Sequence, residues 1–298
     1  MSIGGGAWTA ALTPLKDDLT IDLDAAGEHC RWLLANGAAG VVVLGTTGEA
    51  NSFSLEERKA LIAHLARSGL PGERVIVGTG CCSAPETIAL TRAALDAGYA
   101  NVLMLPPFYY KGVSDDGLFA AYARAIEGVG SSALRVLIYD IPPQTGFALS
   151  VDLLRRLRDA FPETVVGVKN SSGDWSAMEA ALKALPGFQV FAGSEQFLLP
   201  TLRGGGPGCI SALANITSKQ LGVLGAGWRD DGADALQEAA TARRAALSKF
   251  PTIAALKEVM AARTGRAQWR NIRPPLMPLS GDQRAALHAT ASELELSL

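Results

Sequence analysis

The chain has little of what metal sites, disulfide scaffolds and membrane spans are made from. Only four cysteines occur in 298 residues. Cys30, Cys81, Cys82 and Cys209 have neither zinc-ligand spacing nor the density of a disulfide framework, so they read as reduced thiols. His29, His64 and His288 each fall in a helical pattern with no partner at ligand spacing, which predicts packing or surface roles and no metal site. No apolar run reaches the ~18 to 20 residues of a membrane span, and residues 1–6 lack the basic and apolar parts of a secretory signal. A cytoplasmic location is the expectation. An excess of one charge is missing as well: the formal net charge is -2, and Lys and Arg are scattered along the chain. Without a basic stripe, neither nucleic acid nor a membrane surface is an expected partner.

What the chain does have is apolar residues, 48% of the total, enough for a substantial core. They recur in a regular order. Strand-like runs at 8–12, 40–44, 74–77, 101–105, 136–139, 165–168, 189–192 and 208–211 alternate with amphipathic helical runs at 24–36, 55–68, 85–97, 115–128, 151–160, 175–185 and 195–203. This alternation predicts an α/β fold, a (β/α)8 TIM barrel. Ser54 before Leu55-Glu56-Glu57 is a predicted helix cap, its hydroxyl accepting from an orphan helix N–H. After Ser211 the strand signal stops, and the remainder reads as helices broken at Asp230-Asp231-Gly232, at Pro251 and across Pro274-Pro275 to Pro278. That is more helix than a barrel requires. The predicted organisation is a barrel catalytic domain over 1–225 and a C-terminal helical domain over 226–298.

Lys169 carries the chemistry in this reading. It follows the apolar run Val165-Val166-Gly167-Val168, so its amine is held close to the interior at a strand end, where desolvation disfavours the ammonium and frees a nucleophile for a carbonyl substrate. Locally, a lysine that snorkels into water or pairs with Asp174 explains the sequence equally well. The barrel changes the balance, because working residues of this fold gather at the carboxyl ends of strands. There the chain places Gly45-Thr46-Thr47-Gly48-Glu49, Pro106-Pro107-Phe108-Tyr109-Tyr110, Tyr139 to Gly146, Gly193-Ser194-Glu195 and Ile210-Ser211. A lysine, a tyrosine and paired threonines on one rim suit attack on a ketone, proton shuttling and carboxylate binding. Tyr139 is the expected shuttle, with Thr47 as the nearest plausible relay partner. The glycine-threonine turn has no Walker lysine, which argues against a nucleotide.

The combination resembles the dihydrodipicolinate synthase and N-acetylneuraminate lyase superfamily of class I aldolases. The resemblance extends over nearly the whole chain. It includes Thr13-Pro14, Gly45 to Glu49 with Ser54 to Arg58, Tyr139 to Gly146, Gly167-Val168-Lys169 with Ser172-Gly173-Asp174, and Gly208 to Ser211 with Ala214-Asn215. It implies that Lys169 forms an imine with pyruvate or another 2-oxo acid, that Tyr139 is the general acid/base, and that Thr46 and Thr47 bind the pyruvate carboxylate and continue the relay. By the same resemblance Tyr110 reaches into a neighbouring subunit's site, Gly193 and Ile210 shape the pyruvate pocket, the assembly is a homotetramer built as a dimer of dimers, and no cofactor is needed.

Two positions depart from the synthases. Gln144 stands where they carry an arginine for the carboxylate of aspartate semialdehyde, and a neutral amide does not replace a bidentate, charge-assisted contact. Glu195 stands where lyases of the superfamily often contact substrate hydroxyls. The expected activity is therefore a lyase making or breaking a carbon-carbon bond between pyruvate and a small aldehyde. The alternatives are an aldolase or dehydratase of 2-keto-3-deoxy sugar acids, a genuine 4-hydroxy-tetrahydrodipicolinate synthase, and a non-catalytic barrel that binds a 2-oxo acid.

Overall fold

Eight short runs rich in Val, Ile and Leu supply the strands: β1 (Gly6–Ala10), β2 (Gly40–Val43), β3 (Val75–Gly78), β4 (Asn101–Met104), β5 (Arg135–Asp140), β6 (Val165–Asn170), β7 (Gln189–Ala192) and β8 (Gly208–Ser211). In a computed structural model that describes residues 3–294, they close in sequence order into a parallel barrel, β8 pairing with β1. Residues 1–2, from the segment read for a signal, and residues 295–298, from the expected helical extension, lie outside the described residues.

Strand β6 runs two residues past the expected 165–168. Lys169 pairs with Tyr139 on β5 and Phe191 on β7, and Asn170 pairs with Asp140 and Ala192. Lys169 is therefore inside the sheet, its backbone fixed from both sides. Alternation along the strands turns Trp8, Val42, Ile76, Leu103, Leu137 and Phe191 into the barrel interior, and Tyr139 continues the inward row of β5. Gly40 is required beneath Trp8, because a Cβ there would lie 2.2 Å from the indole. With the barrel floor filled by side chains, the open space is left at the carboxyl ends of the strands.

The helices form where capping and apolar spacing agree. Ser54 accepts from the Glu57 amide at 3.2 Å while Glu57 accepts from the Ser54 amide at 2.8 Å, a reciprocal cap on the helix Leu55–Arg67. Ser83, Ser114, Ser150 and Asp174 cap later barrel helices one way, each side chain accepting from a first-turn amide. The helix expected at 195–203 is broken. A 3-10 turn at Glu195–Phe197 precedes the α-helix Leu198–Arg203, because Phe197 leaves helical geometry at φ -111°, ψ 15°. The barrel seam is stitched by Asn215, which donates to the Ala10 carbonyl at 2.8 Å, accepts from the Leu12 amide at 3.1 Å and meets His29 Nε2 at 2.8 Å. Burial holds the His29 imidazole down at about 4 despite that contact. It is a packed, hydrogen-bonded histidine.

Beyond the helix Ala214–Ala226, which covers β1, come the helices Ala233–Leu247, Thr252–Thr264 and Gly281–Glu293. Leu256, Val259, Met260, Trp269 and Leu287 form a core with Leu12 and Leu213 from the barrel. Each such side chain contributes roughly 1.5 to 3 kcal/mol when fully buried. Ionic ties run the same way: Lys257 pairs with Glu49 at a fully buried site, and Arg273 holds Glu57 at 2.5 Å. All four cysteines are free thiols. No helix among the described residues is long and apolar enough to cross a membrane.

Candidate active site

A cavity of about 720 Å³ opens between the barrel rim and the C-terminal helices. Lys169, Tyr139, Thr46, Thr47, Gln144, Gly193 and Ile210 all line it. Lys169 Nζ donates to the Tyr139 hydroxyl at 3.1 Å and lies 4.2 Å from the centre of its ring. Lys169 is only 5% exposed, so the amine neither snorkels to water nor pairs with Asp174, whose carboxylate instead caps the helix Trp175–Ala184. Burial alone would push the Tyr139 phenol up. The charge of Lys169 and hydrogen bonds from Thr46, Lys169 and Ser171 outweigh it, and the phenol sits below its ordinary value. A phenol so placed gives up its proton more readily than tyrosine in water.

Of the two threonines it is Thr46 whose hydroxyl lies near Tyr139, 3.5 Å away, alongside that of Ser171. This corrects the expected neighbour of the phenol, and the reason is local backbone. The loop from Gly45 to Glu49 is bracketed by two non-glycine residues with positive φ, Leu44 at 55° and Glu49 at 56°, which turn successive side chains in ways a simple strand alternation does not anticipate. The loop is held from three directions. Thr13 Oγ1 donates to the Gly48 carbonyl at 2.8 Å, Lys257 pairs with the Glu49 carboxylate, and the Arg273 amide donates to Glu49 Oε2 at 3.2 Å. Lys257 in turn donates to the Asn271 carbonyl at 2.7 Å.

Gln144 sits at the mouth, on a short helix Pro142–Thr145 that the sequence does not announce. That turn is fixed by Thr145 Oγ1, which donates to the Phe147 carbonyl at 2.7 Å, and by Lys111 Nζ, which donates to the Thr145 carbonyl at 2.7 Å. Below it, Asp140 accepts from the Leu149 amide at 3.1 Å and from Asn170 Nδ2 at 3.2 Å. Burial pushes the Asp140 carboxyl up to about 6 against the Leu149 bond. Gly193 earns its position sterically, since a Cβ would lie 2.1 Å from Ser171 Oγ. A side chain there would displace a group that touches Tyr139.

Two expected residues lie elsewhere. Glu195 is 1% exposed and does not line the large cavity: its carboxylate hydrogen-bonds to Ser211 and faces a separate space of about 100 Å³. The 3-10 turn is the physical reason, since it directs Ser194 and Gln196 to the cavity and Glu195 behind the wall. The expected place of Glu195 at the substrate cavity is thereby corrected to a separate buried space. Tyr110 is 73% exposed and packs edge-on against Tyr109, 5.3 Å between ring centres, away from the cavity of its own chain.

Sequence reasoning missed Ser171, Gln196, Arg244 and the apolar wall of Ile253, Leu276 and Met277. Ser171 was within reach as the second residue after Lys169. The others come from segments with no motif. Among the described residues no three His, Cys, Asp or Glu side chains converge as a metal site.

A sequence profile of the Dihydrodipicolinate synthetase family matches residues 4–294. An uncharacterized DapA-like lyase of Chloroflexus aurantiacus is 33% identical over 290 residues, 95% of each chain. Among solved structures, dihydrodipicolinate synthase from Agrobacterium tumefaciens superposes with a TM-score of 0.90 at 36% identity, covering 97% of this chain and 99% of that one. YagE, a prophage protein of the dihydrodipicolinic acid synthase family from E. coli K12 solved in complex with pyruvate, gives 0.90 at 26% identity, covering 98% and 99%. The chain belongs to the dihydrodipicolinate synthetase family, whose members are lyases.

Proposed function

We propose that this member of the dihydrodipicolinate synthetase family is a Schiff-base lyase that makes or breaks a carbon-carbon bond between pyruvate and an aldehyde. The observation that carries the reading is the buried Lys169 amine 3.1 Å from the Tyr139 hydroxyl in the cavity. The amine adds to C2 of pyruvate and water leaves, giving an iminium on Lys169. That iminium is an electron sink, so the pyruvate methyl becomes acidic and loses a proton to form the enamine that attacks the aldehyde. Tyr139 moves the proton, with Thr46 beside it as the relay hydroxyl. Thr47 lines the cavity next to Thr46 and is assigned to the pyruvate carboxylate, and Gly193 and Ile210 shape the same subsite. The covalent imine takes the place of any organic cofactor or metal.

In this reading Tyr110 completes the relay of a neighbouring subunit in a homotetramer, a role for which its exposed position in one chain leaves it available. Gln144 offers the second substrate a neutral amide, which favours an aldehyde other than aspartate semialdehyde. Borohydride reduction in the presence of pyruvate tests the mechanism. The expected result is a reduced pyruvyl adduct on Lys169. No adduct, or an equal one in Lys169→Ala, would remove the imine. Robust turnover of aspartate semialdehyde with pyruvate would overturn the reading of Gln144.

A further inference from the structure

The large cavity contains two basic side chains, Lys169 and Arg244, and not one Asp or Glu. Lys169 has its assignment. Arg244 has none: it comes from the C-terminal helix Ala233–Leu247, and while its backbone carbonyl accepts from the Ser248 amide, its side chain has no hydrogen bond or ion pair with any described residue. Its charge is felt by the buried Glu195, but Glu195 uses one oxygen for Ser211 and leaves the other without a partner, so the guanidinium fork stays open. An unpaired, half-buried guanidinium is costly to keep in a lined cavity unless something anionic arrives.

The remaining lining narrows what arrives. Ile253, Pro275 and Phe197, with the exposed Leu276 and Met277, add apolar surface to the lining, and Gln196 and Gln283 add neutral amides. At about 720 Å³ the space falls within the ~300 to 1,000 Å³ typical of drug-sized ligands, well beyond the needs of a three-carbon keto acid. A single planar fork without a backbone nest or second cation suits a carboxylate better than a phosphate dianion.

Building on the Schiff-base reading above, we propose that Arg244 is the specificity residue for the second substrate, an aldehyde that carries a carboxylate on an apolar chain. The cationic contact for that carboxylate is supplied from the C-terminal helix Ala233–Leu247, and not from the β5 segment that carries Gln144. Arg244 binds the aldehyde; it does not take part in imine formation.

Matched probes test this. With pyruvate as donor, kcat/KM is measured for ω-carboxylated straight-chain aldehydes, for their methyl-terminated counterparts and for a phosphorylated aldehyde. The wild-type enzyme is expected to prefer the carboxylated member of each pair. In Arg244→Gln the carboxylated-to-methyl ratio falls roughly 10- to 100-fold, and Arg244→Lys recovers part of it. A loss of fold in the variants would lower both members of a pair together, so the ratio isolates binding from folding. The proposal is overturned if the wild type prefers the methyl-terminated or phosphorylated aldehydes, or if the ratio in Arg244→Gln is unchanged. Borohydride trapping of pyruvate on wild-type Lys169 is run alongside. Failure there removes the Schiff-base reading, whereas trapping without a carboxylate preference removes only the role of Arg244.

Discussion

The two walls of the cavity are built on opposite plans. On the barrel side, Lys169, Tyr139, Thr46 and Ser171 satisfy one another, and backbone pairing on both edges of β6 fixes the lysine. On the helical side, Arg244 is the one charged side chain among the described residues of a lining that includes Ile253, Leu276, Met277, Thr252 and Gln283. A wall whose polar groups are mutually hydrogen-bonded has one low-energy arrangement, which suits chemistry that requires fixed distances. A wall of mixed apolar and neutral polar side chains with one unpaired charge tolerates replacement, which suits a changing choice of partner. In the proposed mechanism the barrel wall holds the reacting groups together with Gln144, and the C-terminal helices add the charged contact for the second substrate.

The sharpest test of that division is to damage the barrel wall alone. Tyr139→Phe removes the hydroxyl proposed to shuttle the proton and keeps the ring, so turnover is expected to fall roughly 10²- to 10⁴-fold. Pyruvate should still be trapped on Lys169 by borohydride, at a slower rate. Equal activity in the variant would show that the proton moves by another route.

A second test asks whether the walls are coupled. Lys257→Met strands the buried Glu49 carboxylate, which is expected to destabilise the fold by about 3 to 5 kcal/mol in urea unfolding. Replacing both partners, Glu49→Leu with Lys257→Met, should recover much of that loss. If the single variant loses less than ~1 kcal/mol, the helices do not hold the catalytic loop.

Asp140 supplies a pH signature on the barrel side. Its carboxyl is raised to about 6 in the fold from an ordinary value of 3.8, so the unfolded chain releases this proton first as pH rises. The sign follows: its contribution is full below about pH 4, declines between 4 and 6, and is absent above. Two pH units correspond to about 3 kcal/mol. Asp140→Asn does not titrate, so its stability relative to wild type should improve by an amount of that order from pH 4 to pH 7. Any fixed cost of the amide beside Asn170 shifts both ends equally. A difference that stays flat across this range would mean the carboxyl is not raised.

The smallest effect is expected at Thr46. At 3.5 Å its contact with Tyr139 is long, and Thr46→Val should slow turnover by about tenfold, one neutral hydrogen bond. Thr47→Val should leave the Tyr139 limb of the pH-rate profile in place. The reverse outcome would restore Thr47 as the relay partner.

The barrel wall was legible because its residues stand at predictable places on short strands. Counting apolar runs located every strand, and β7 and β8 appear at the expected bounds. The misses share one cause. Whether Thr46 or Thr47 meets Tyr139 depends on the positive φ at Leu44 and Glu49, and whether Glu195 faces substrate depends on a 3-10 turn. Neither is visible in hydrophobic periodicity. Arg244 is harder still, because a helix with Arg243-Arg244 looks like any solvated charged face until the fold lays it over the rim.

The buried Glu49–Lys257 contact has a consequence for descent. It joins the 45–49 loop of the barrel rim with the C-terminal helix Thr252–Thr264. Exchange of C-terminal segments between relatives would leave a stranded charge wherever the incoming helix lacked the lysine. Recombinants that survive are those in which both halves come from parents sharing the pair, so new acceptor specificities would spread among chains that already agree on this one bond.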